Sequence, residues 1–271
     1  MATSRRPIQR IAPADAWGQL LQLVRRQLLP RRHTAMLVAL VAVVSVRPLI
    51  GDVGFSPIAF STALVLLMLV SLYTIQVDEL VGERQSLMAQ KKSRSQIAWL
   101  IAIPAVVERI AIAASPIPFV IVTGLIFWLA FFVYITWNEL RSVLRQRKVT
   151  GETISQSISI YLFLAMTWTI LYGVIYYLQP HAFSFGSSPS SGRLSATEIF
   201  PVLAYFSLTT ISTIGFGDIT PLTLQARYAA VAEGITGQFY LAILVARLVG
   251  LYMSRPAEHE TGGSKSMVER R

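Results

Sequence analysis

Long uncharged runs dominate this sequence and restrict what it can fold into. Four of them hold 19 to 25 residues, and a single glutamate is the only charge among them. A helix needs about 20 such residues to cross the hydrocarbon core of a bilayer, where it satisfies its own backbone hydrogen bonds. The sequence therefore predicts an all-α membrane protein. The four runs are 53–77, 119–137, 154–178 and 228–246.

Two shorter runs complete the expected set of spans. Residues 34–46 are uncharged up to Arg47, and residues 96–107 are uncharged up to Glu108 and Arg109, which we expect to form structural ion pairs. Each run reaches a spanning length with the apolar residues that follow it. We therefore predict six transmembrane helices. Only 14% of the residues are charged, against about 25% in soluble domains, so lipid is the expected solvent.

Basic residues alternate with these runs along the chain. The segments 1–33, 78–95, 138–152 and 253–271 hold 7, 4, 4 and 4 Lys or Arg, whereas the three loops between them hold 0, 0 and 1. Because Lys and Arg accumulate on the cytoplasmic side, both termini should be cytoplasmic. We expect these segments to contact anionic lipid rather than nucleic acid. With no targeting features visible, the expected location is a bacterial inner membrane.

The segment between the last two runs is too long for a simple loop. Pro201 favours a helix start, since proline is preferred at the first helical position. The pattern Ser195-Ala-Thr-Glu198 is typical of a capping box and favours an earlier start. We follow Pro201 and predict a helix over 201–211, about 16 Å long, which enters the bilayer without crossing it. Such a re-entrant helix must be buried in protein.

The hexapeptide that follows this helix, 213–218, reads Thr-Ile-Gly-Phe-Gly-Asp. Glycine adopts positive φ angles at little steric cost, so two glycines two apart let the carbonyls between them turn the same way. A ring of such loops offers oxygens that replace the water around a dehydrated cation. The pattern therefore predicts an ion-binding backbone rather than a set of ion-binding side chains.

Residues 205–218, Tyr-Phe-Ser-Leu-Thr-Thr-Ile-Ser-Thr-Ile-Gly-Phe-Gly-Asp, resemble the pore helix and selectivity filter of the potassium channel family. The resemblance covers about 154–252, and the first 150 residues are similar to that family only in helix number. It implies a passive potassium channel, not an enzyme, that needs no cofactor. One filter sequence per chain implies a homotetramer. The family often has Tyr where this chain has Phe216, which leaves the degree of potassium selectivity open.

The same resemblance assigns roles to the filter and its surroundings. Potassium would bind carbonyls of the filter, together with the hydroxyl of the threonine, at Thr213, Ile214, Gly215 and Phe216, and Gly217 would permit the outer turn. Support would come from Asp218, from the aromatic pair Tyr205 and Phe206, from Thr209 and from Glu233. Thr209 stands where some relatives place a carboxylate behind the filter. Glu233 is an ionisable residue within an apolar span, which by itself indicates a function.

Three residues of the last run bear on gating. Gly234 and Gly237 are candidate hinges, Gly234 being the better one by resemblance, and close packing is the alternative for both. Arg247, near the inner end, is expected to reach the lipid phosphates. The fourth run, 119–137, contains no Lys or Arg. Because voltage sensing needs charges that cross the membrane field, we expect no ordinary voltage gating.

Other functions share part of these features. A non-selective monovalent cation channel would use the same frame, and a secondary transporter would show internal repeats with two broken helices. The segment Gly215-Phe-Gly-Asp218 also matches the core of intramembrane aspartyl proteases, which need a second aspartate close by. No apolar run contains one, because the other aspartates are Asp15, Asp52 and Asp78.

The predicted organisation has five parts. They are an N-terminal cytoplasmic segment with an amphipathic interfacial helix (1–33), a peripheral four-helix domain (34–140), a linker (141–153), a pore domain (154–252) and a disordered cytoplasmic tail (253–271). The pore domain would contain helix 154–178, pore helix 201–211, filter 213–218 and helix 228–252.

Overall fold

The computed structural model describes residues 32–50, 56–83, 92–114, 118–146, 149–186 and 196–253, which are almost entirely helical. The helices are α1 (Arg32–Ile50), α2 (Ser56–Glu83), α3 (Lys92–Ala114), α4 (Pro118–Arg145), α5 (Gly151–Leu178), α6 (Ala196–Ile211) and α7 (Leu224–Met253). Strands β1 (Phe183–Ser184) and β2 (Thr220–Pro221) pair antiparallel. The predicted interfacial helix, the tail after 253, Asp52 and the side chains of Arg47, Glu108 and Arg109 lie outside the described residues.

Four helices of the described part are long and apolar enough to cross a membrane. Their candidate spans are Ala59–Gln76, Phe119–Arg145, Gly151–Leu178 and Leu224–Gly250. The apolar stretches of α1 and α3 are shorter, Arg32–Val46 and Gln96–Val107, as the sequence indicates. An integral membrane protein of helical class accounts for this pattern. The count of six spans stays a prediction.

The chain divides into two compact units, 1–99 and 100–271, with the boundary inside α3. In the first unit, α1 packs against α2. The buried face of α1 carries Met36, Leu40 and Val43, which recur at the spacing of one helical stripe. Helix α4 belongs to the second unit, where it packs along α5, so the predicted four-helix domain 34–140 is not one compact unit.

The second unit is built around α5, which contacts α4, α6 and α7. Aromatic side chains fill the α4–α5 contact, with the rings of Phe132 and Phe163 5.9 Å apart in an edge-to-face arrangement. Helix α5 begins at Gly151 because Thr150 forms a capping box with Thr153, in which each side chain bonds the other residue's backbone N–H. Helix α4 runs to Arg145. The linker between the two helices is therefore shorter than the predicted 141–153.

The predicted start of the pore helix at Pro201 is wrong. Helix α6 begins at Ala196, five residues earlier, and Glu198 lies in its first turn, as the capping-box pattern indicates. Pro201 lies at the sixth position, where its missing N–H removes one bond to the carbonyl four residues before it. The 16 residues span about 24 Å at 1.5 Å per residue, still short of a 30 Å hydrocarbon core.

Candidate functional site

The loop after α6 has an alternating backbone. Thr213, Gly215 and Gly217 have φ angles of 61°, 54° and 78°, whereas Ile214 and Phe216 do not have positive φ. Alternation between left-handed and ordinary conformations turns successive carbonyls to one side instead of opposite sides. The two glycines adopt these angles without a Cβ penalty. The loop therefore presents a row of backbone oxygens, as the sequence motif predicts.

Thr213 takes the same left-handed conformation without being a glycine. A β-branched residue at positive φ is an outlier that persists only where the surrounding structure imposes it. Here the N–H of Thr213 donates to the carbonyl of Thr210 at 3.0 Å, which ties the strained residue to the end of α6. The sequence motif gives no sign of this strain. The positive φ at Thr213 marks the residue where helix α6 gives way to the loop.

The amides of the loop cap the end of α6. The N–H groups of Ile214 and Gly215 both donate to the carbonyl of Thr209, at 2.9 and 3.1 Å. The last carbonyls of a helix have no partner within the helix, so these bonds satisfy the helix and fix the loop together. Since the amides point toward the helix, the carbonyls are free to face away. Residues 213–218 are all exposed in the single chain.

Thr209 thus supports the loop through its backbone. Its hydroxyl donates to the carbonyl of Phe206 within the same helix, at 3.0 Å. The side chain of Phe206 packs in the aromatic core behind α6, 5.0 Å from the ring of Tyr172 and 5.6 Å from that of Phe183. Both side chains thus have partners within the chain, and their support of the loop stays a prediction.

Tyr205 is the aromatic residue that contacts the loop. Its ring stacks on that of Phe216, with centroids 6.2 Å apart and planes inclined by 1°. Its phenol also interacts with the carboxylate of Asp218. Phe216 and Asp218 are therefore both held to α6 through Tyr205.

Glu233 is fully buried between three helices. One carboxylate oxygen accepts a hydrogen bond from the phenol of Tyr172 on α5, at 2.5 Å, and the other accepts from the hydroxyl of Ser207 on α6. The oxygen of Ser207 also lies 2.7 Å from the carbonyl of Ala165. Buried carboxyl groups require such partners. The three residues form a polar cluster, the Glu233 cluster, that joins α5, α6 and α7 behind the loop.

Gly237 and Tyr161 meet the last carbonyl of α6. The phenol of Tyr161 donates to the carbonyl of Ile211 at 3.1 Å. A Cβ built on Gly237 would lie 2.6 Å from the same oxygen, whereas a Cβ on Gly234 would meet nothing within 4 Å. Gly237 is therefore a packing glycine at the base of the loop. Gly234 makes no such close approach within the chain, and its role as a hinge stays a prediction.

The segment that contains the β1–β2 pair approaches the last residue of the loop, Asp218. The N–H of Leu222 donates to the carbonyl of Ala182 at 2.8 Å, next to the strand register Phe183 with Pro221. Gly186 takes a φ of 58° where a Cβ would lie 3.2 Å from the carbonyl of Asp218. These contacts fix the outer end of the loop, as the α6 contacts fix its inner end.

Arg247 does not take the lipid-facing position expected for it. Its guanidinium donates to the carbonyls of Val143 and Gln146, at the end of α4, the second at 2.6 Å. An arginine in a membrane finds either a phosphate or a set of protein carbonyls, and here it has carbonyls. The sequence shows a basic residue near the inner end of a span but not which partner it has.

Several residues of the site escape sequence reasoning. They are Tyr161, Tyr172, Ser207 and the carbonyl acceptors of Arg247. Ser207 and the two tyrosines are polar residues within apolar runs, which is a signal, but one that many unrelated hydroxyls share. Among the described residues, no cluster of three His, Cys, Asp or Glu could hold a metal ion.

Part of the chain is similar to known proteins. Residues 163–254, from the middle of α5 to just beyond the end of α7, match the sequence profile of a family described as ion channel. This third of the chain resembles an ion channel. The chain is also 30% identical to Protein LctB of Bacillus caldotenax over 89 residues, which are 33% of this chain and 64% of that relative. The chain thus spans less than two thirds of the relative. No solved structure matches.

The comparisons reach as far as the class of protein. The profile match and the four candidate spans support an ion channel within a helical membrane protein. The matched segment contains the alternating loop, the Glu233 cluster and Arg247. Potassium selectivity, the roles of the filter residues, the tetramer and the orientation of the termini stay predictions.

Proposed function

We propose that four copies of this chain form a potassium-selective channel, in which the carbonyls of residues 213–216 bind dehydrated potassium ions. The observation that carries the proposal is the alternation of positive φ at Thr213, Gly215 and Gly217, with the loop amides bonded to α6. This geometry supports a column of oxygens on one side of the backbone. A ring of four such columns surrounds an ion with oxygens that replace its hydration shell.

The exposure of α7 supports assembly around the loop. Only 17% of its candidate span is buried in the single chain, against 50% for α5. One face of α7 leaves large apolar side chains exposed, among them Val231, Ile235 and Phe239. The hexapeptide is exposed as well. A closed ring of copies covers both surfaces at once, since heterologous contacts close when the rotation returns to the start.

Phe216 favours a second candidate function, a non-selective cation channel with the same architecture. Its ring stacks on Tyr205 but has no hydroxyl with which to bond the scaffold. A buried hydrogen bond contributes about 1 kcal/mol, so the loop is held less firmly at this residue than a tyrosine would hold it. A more adaptable ring of oxygens discriminates less between alkali ions.

Gating by membrane voltage is not part of the proposal. Helix α4 occupies the position of the fourth run, and its first Lys or Arg after Pro118 is Arg141, close to its inner end. The guanidinium of Arg141 lies 4.4 Å from the ring centre of Trp137. A charge at the membrane surface crosses little of the field and responds weakly to it.

The test uses the full chain in liposomes. Purified protein is reconstituted under a potassium gradient, and flux is measured with potassium, sodium and caesium in turn, followed by currents during a voltage ramp in planar bilayers. A potassium channel gives a potassium flux well above that of sodium, and a reversal potential that follows the potassium gradient. Comparable sodium and potassium currents decide for the non-selective channel. Flux that depends on a proton gradient identifies a transporter and overturns the proposal.

A further inference from the structure

Arg247 joins the inner end of α7 to the carboxyl end of α4. Two nitrogens of its guanidinium donate to two carbonyls, those of Val143 in the last turn and of Gln146 just after the helix. A cation at this position complements the negative end of the helix dipole. The planar fork of arginine suits two acceptors at once, which a lysine ammonium does not match.

The acceptor side of this contact is itself fixed. The side-chain amide of Gln146 donates to Gln156 at 2.6 Å and accepts from the hydroxyl of Thr153 at 2.6 Å. Gln156 is fully buried and donates in turn to the carboxylate of Glu139 at 2.7 Å. Four side chains from α4, α5 and their connection thus hold the residue whose carbonyl Arg247 binds. A satisfied buried network of this kind is rigid.

Arg247 lies on the buried side of α7. It follows Tyr240 by seven residues and Gly237 by ten, so all three fall near one face of the helix. Tyr240 anchors that face through a bond to the carbonyl of Ser157 at 2.6 Å. The opposite face carries Ile235 and Val249, each half exposed. The contacts of Arg247 therefore hold the inner end of α7 toward α4 and α5, in the direction opposite to the exposed face of α7.

We infer that Arg247 is a positioning residue that holds the inner end of α7 against the α4–α5 connection and thereby keeps the inner mouth of the channel open. The inference rests on the proposed function, because the exposed face of α7 points toward a central axis only in a ring of copies. Release of the contact lets the four inner ends move toward that axis. The filter, at the other end of α7, keeps its own contacts.

Three variants separate this contact from a general effect of charge. Arg247→Gln removes the charge and the fork. Arg247→Lys keeps the charge and can still reach lipid phosphate, but cannot serve both carbonyls. Arg145→Gln is the matched control, since it removes the same charge from an exposed position in the last turn of α4. Each variant is reconstituted for single-channel recording.

A second readout follows the helix itself. The sequence contains no cysteine, so a single Val249→Cys substitution gives one label per chain without further changes. Spin labels at this position report the distance between copies across the ring. The label position is exposed and lies outside the Arg247 contact.

Both variants of Arg247 should lower the equilibrium constant between the open and closed states about tenfold, the factor that corresponds to one charge-assisted hydrogen bond of ordinary strength. Unitary conductance and ion selectivity should stay unchanged, because the filter is not touched. The label distances should shorten in both variants and match the parent protein in Arg145→Gln.

Wild-type behaviour of Arg247→Lys would show that the charge alone matters and would overturn the inference. An equal effect of Arg145→Gln would do the same. If Arg247→Gln fails to assemble, the charge-conserving lysine variant decides. Label distances that respond as expected in a protein without potassium flux would refute the proposed function and leave the positioning role intact. A protein with no distances between copies refutes both.

Discussion

Helices α5 and α7 are similar in length and both apolar, yet they differ in how much of their surface the chain buries. Half of the α5 span is buried against α4, α6 and α7, whereas less than a fifth of the α7 span is buried. The contacts that bury α5 therefore come from other helices of the same chain. Helix α7 is held at a few specific points and leaves most of its surface exposed in the single chain. The loop shows a similar difference. The amides of residues 213–215 bond α6 within the chain, whereas the loop residues themselves are exposed.

This difference assigns separate tasks to the two helices. Helix α5 supplies phenol groups to two sites, Tyr172 to Glu233 and Tyr161 to the carbonyl of Ile211. Helix α7 receives the first contact at Glu233, and its Gly237 packs against the same carbonyl of Ile211 that Tyr161 binds on α6. The supporting helix is thus rigid by packing. Helix α7 is positioned by polar contacts that single substitutions can remove one at a time, so the difference between α5 and α7 can be tested.

The largest effect is expected at the loop that both helices support. Gly217→Ala should abolish selective flux, because a non-glycine residue in the left-handed conformation costs about 1–2 kcal/mol in each of four copies. Liposome flux with potassium and sodium measures the result. Gly151→Ala is the control, since that glycine has open space and an ordinary helical φ. Selective flux in Gly217→Ala would show that the alternating backbone is not the conducting element.

Gly237→Ala tests the contact between α7 and the base of the loop. The added methyl group would lie 2.6 Å from the carbonyl of Ile211, so either α7 or the loop must shift. Overpacking of this kind costs about 1–3 kcal/mol. We expect a lower thermal midpoint of the assembly and a lower flux.

The matched variant at the neighbouring glycine sharpens this result. Gly234→Ala has open space around it and should stabilise α7 by about 0.5–1 kcal/mol, because alanine has the higher helix propensity. If Gly234 is the hinge, opening becomes rarer while the thermal midpoint holds or rises. Equal losses of stability in both variants would contradict the separate roles of the two glycines.

The Glu233 cluster is expected to contribute an intermediate effect. Tyr172→Phe and Ser207→Ala each remove one donor to the buried carboxylate, at about 1–3 kcal/mol per bond to a charged or buried group. Unfolding of the two single variants and of the double variant, followed by circular dichroism in detergent, gives the coupling between them. Because both bonds end on one side chain, the losses should not add. Additive losses would show that the two donors act independently of Glu233.

The smallest effect is expected at the aromatic residue of the loop. Phe216→Tyr adds a hydroxyl and leaves the stacking on Tyr205 in place. If the hydroxyl finds a partner, one hydrogen bond of about 1 kcal/mol stiffens the loop and raises the preference for potassium or prolongs opening. Bi-ionic reversal potentials and open times measure both. Unchanged values would show that the missing hydroxyl does not limit selectivity.

How much the sequence predicts differs between elements. The candidate spans 119–137, 154–178 and 228–246 lie within α4, α5 and α7, because runs of this length leave few alternatives. The glycine pattern predicts positive φ at Gly215 and Gly217, which the structure has. Helix α6 begins before Pro201, since the burial of Ile199 and Phe200 in its first turns outweighs one lost hydrogen bond.

By itself, the sequence determined the helical membrane class and the position of the carbonyl loop, because apolar length and glycine spacing are local properties of the chain. Only the tertiary structure decided the partners of Glu233 and Arg247, the strained conformation of Thr213 and the close packing of Gly237. Each of these depends on which side chains or carbonyls meet across helices far apart in sequence. No local pattern carries that information, since a buried polar group takes whichever partner the packing brings to it.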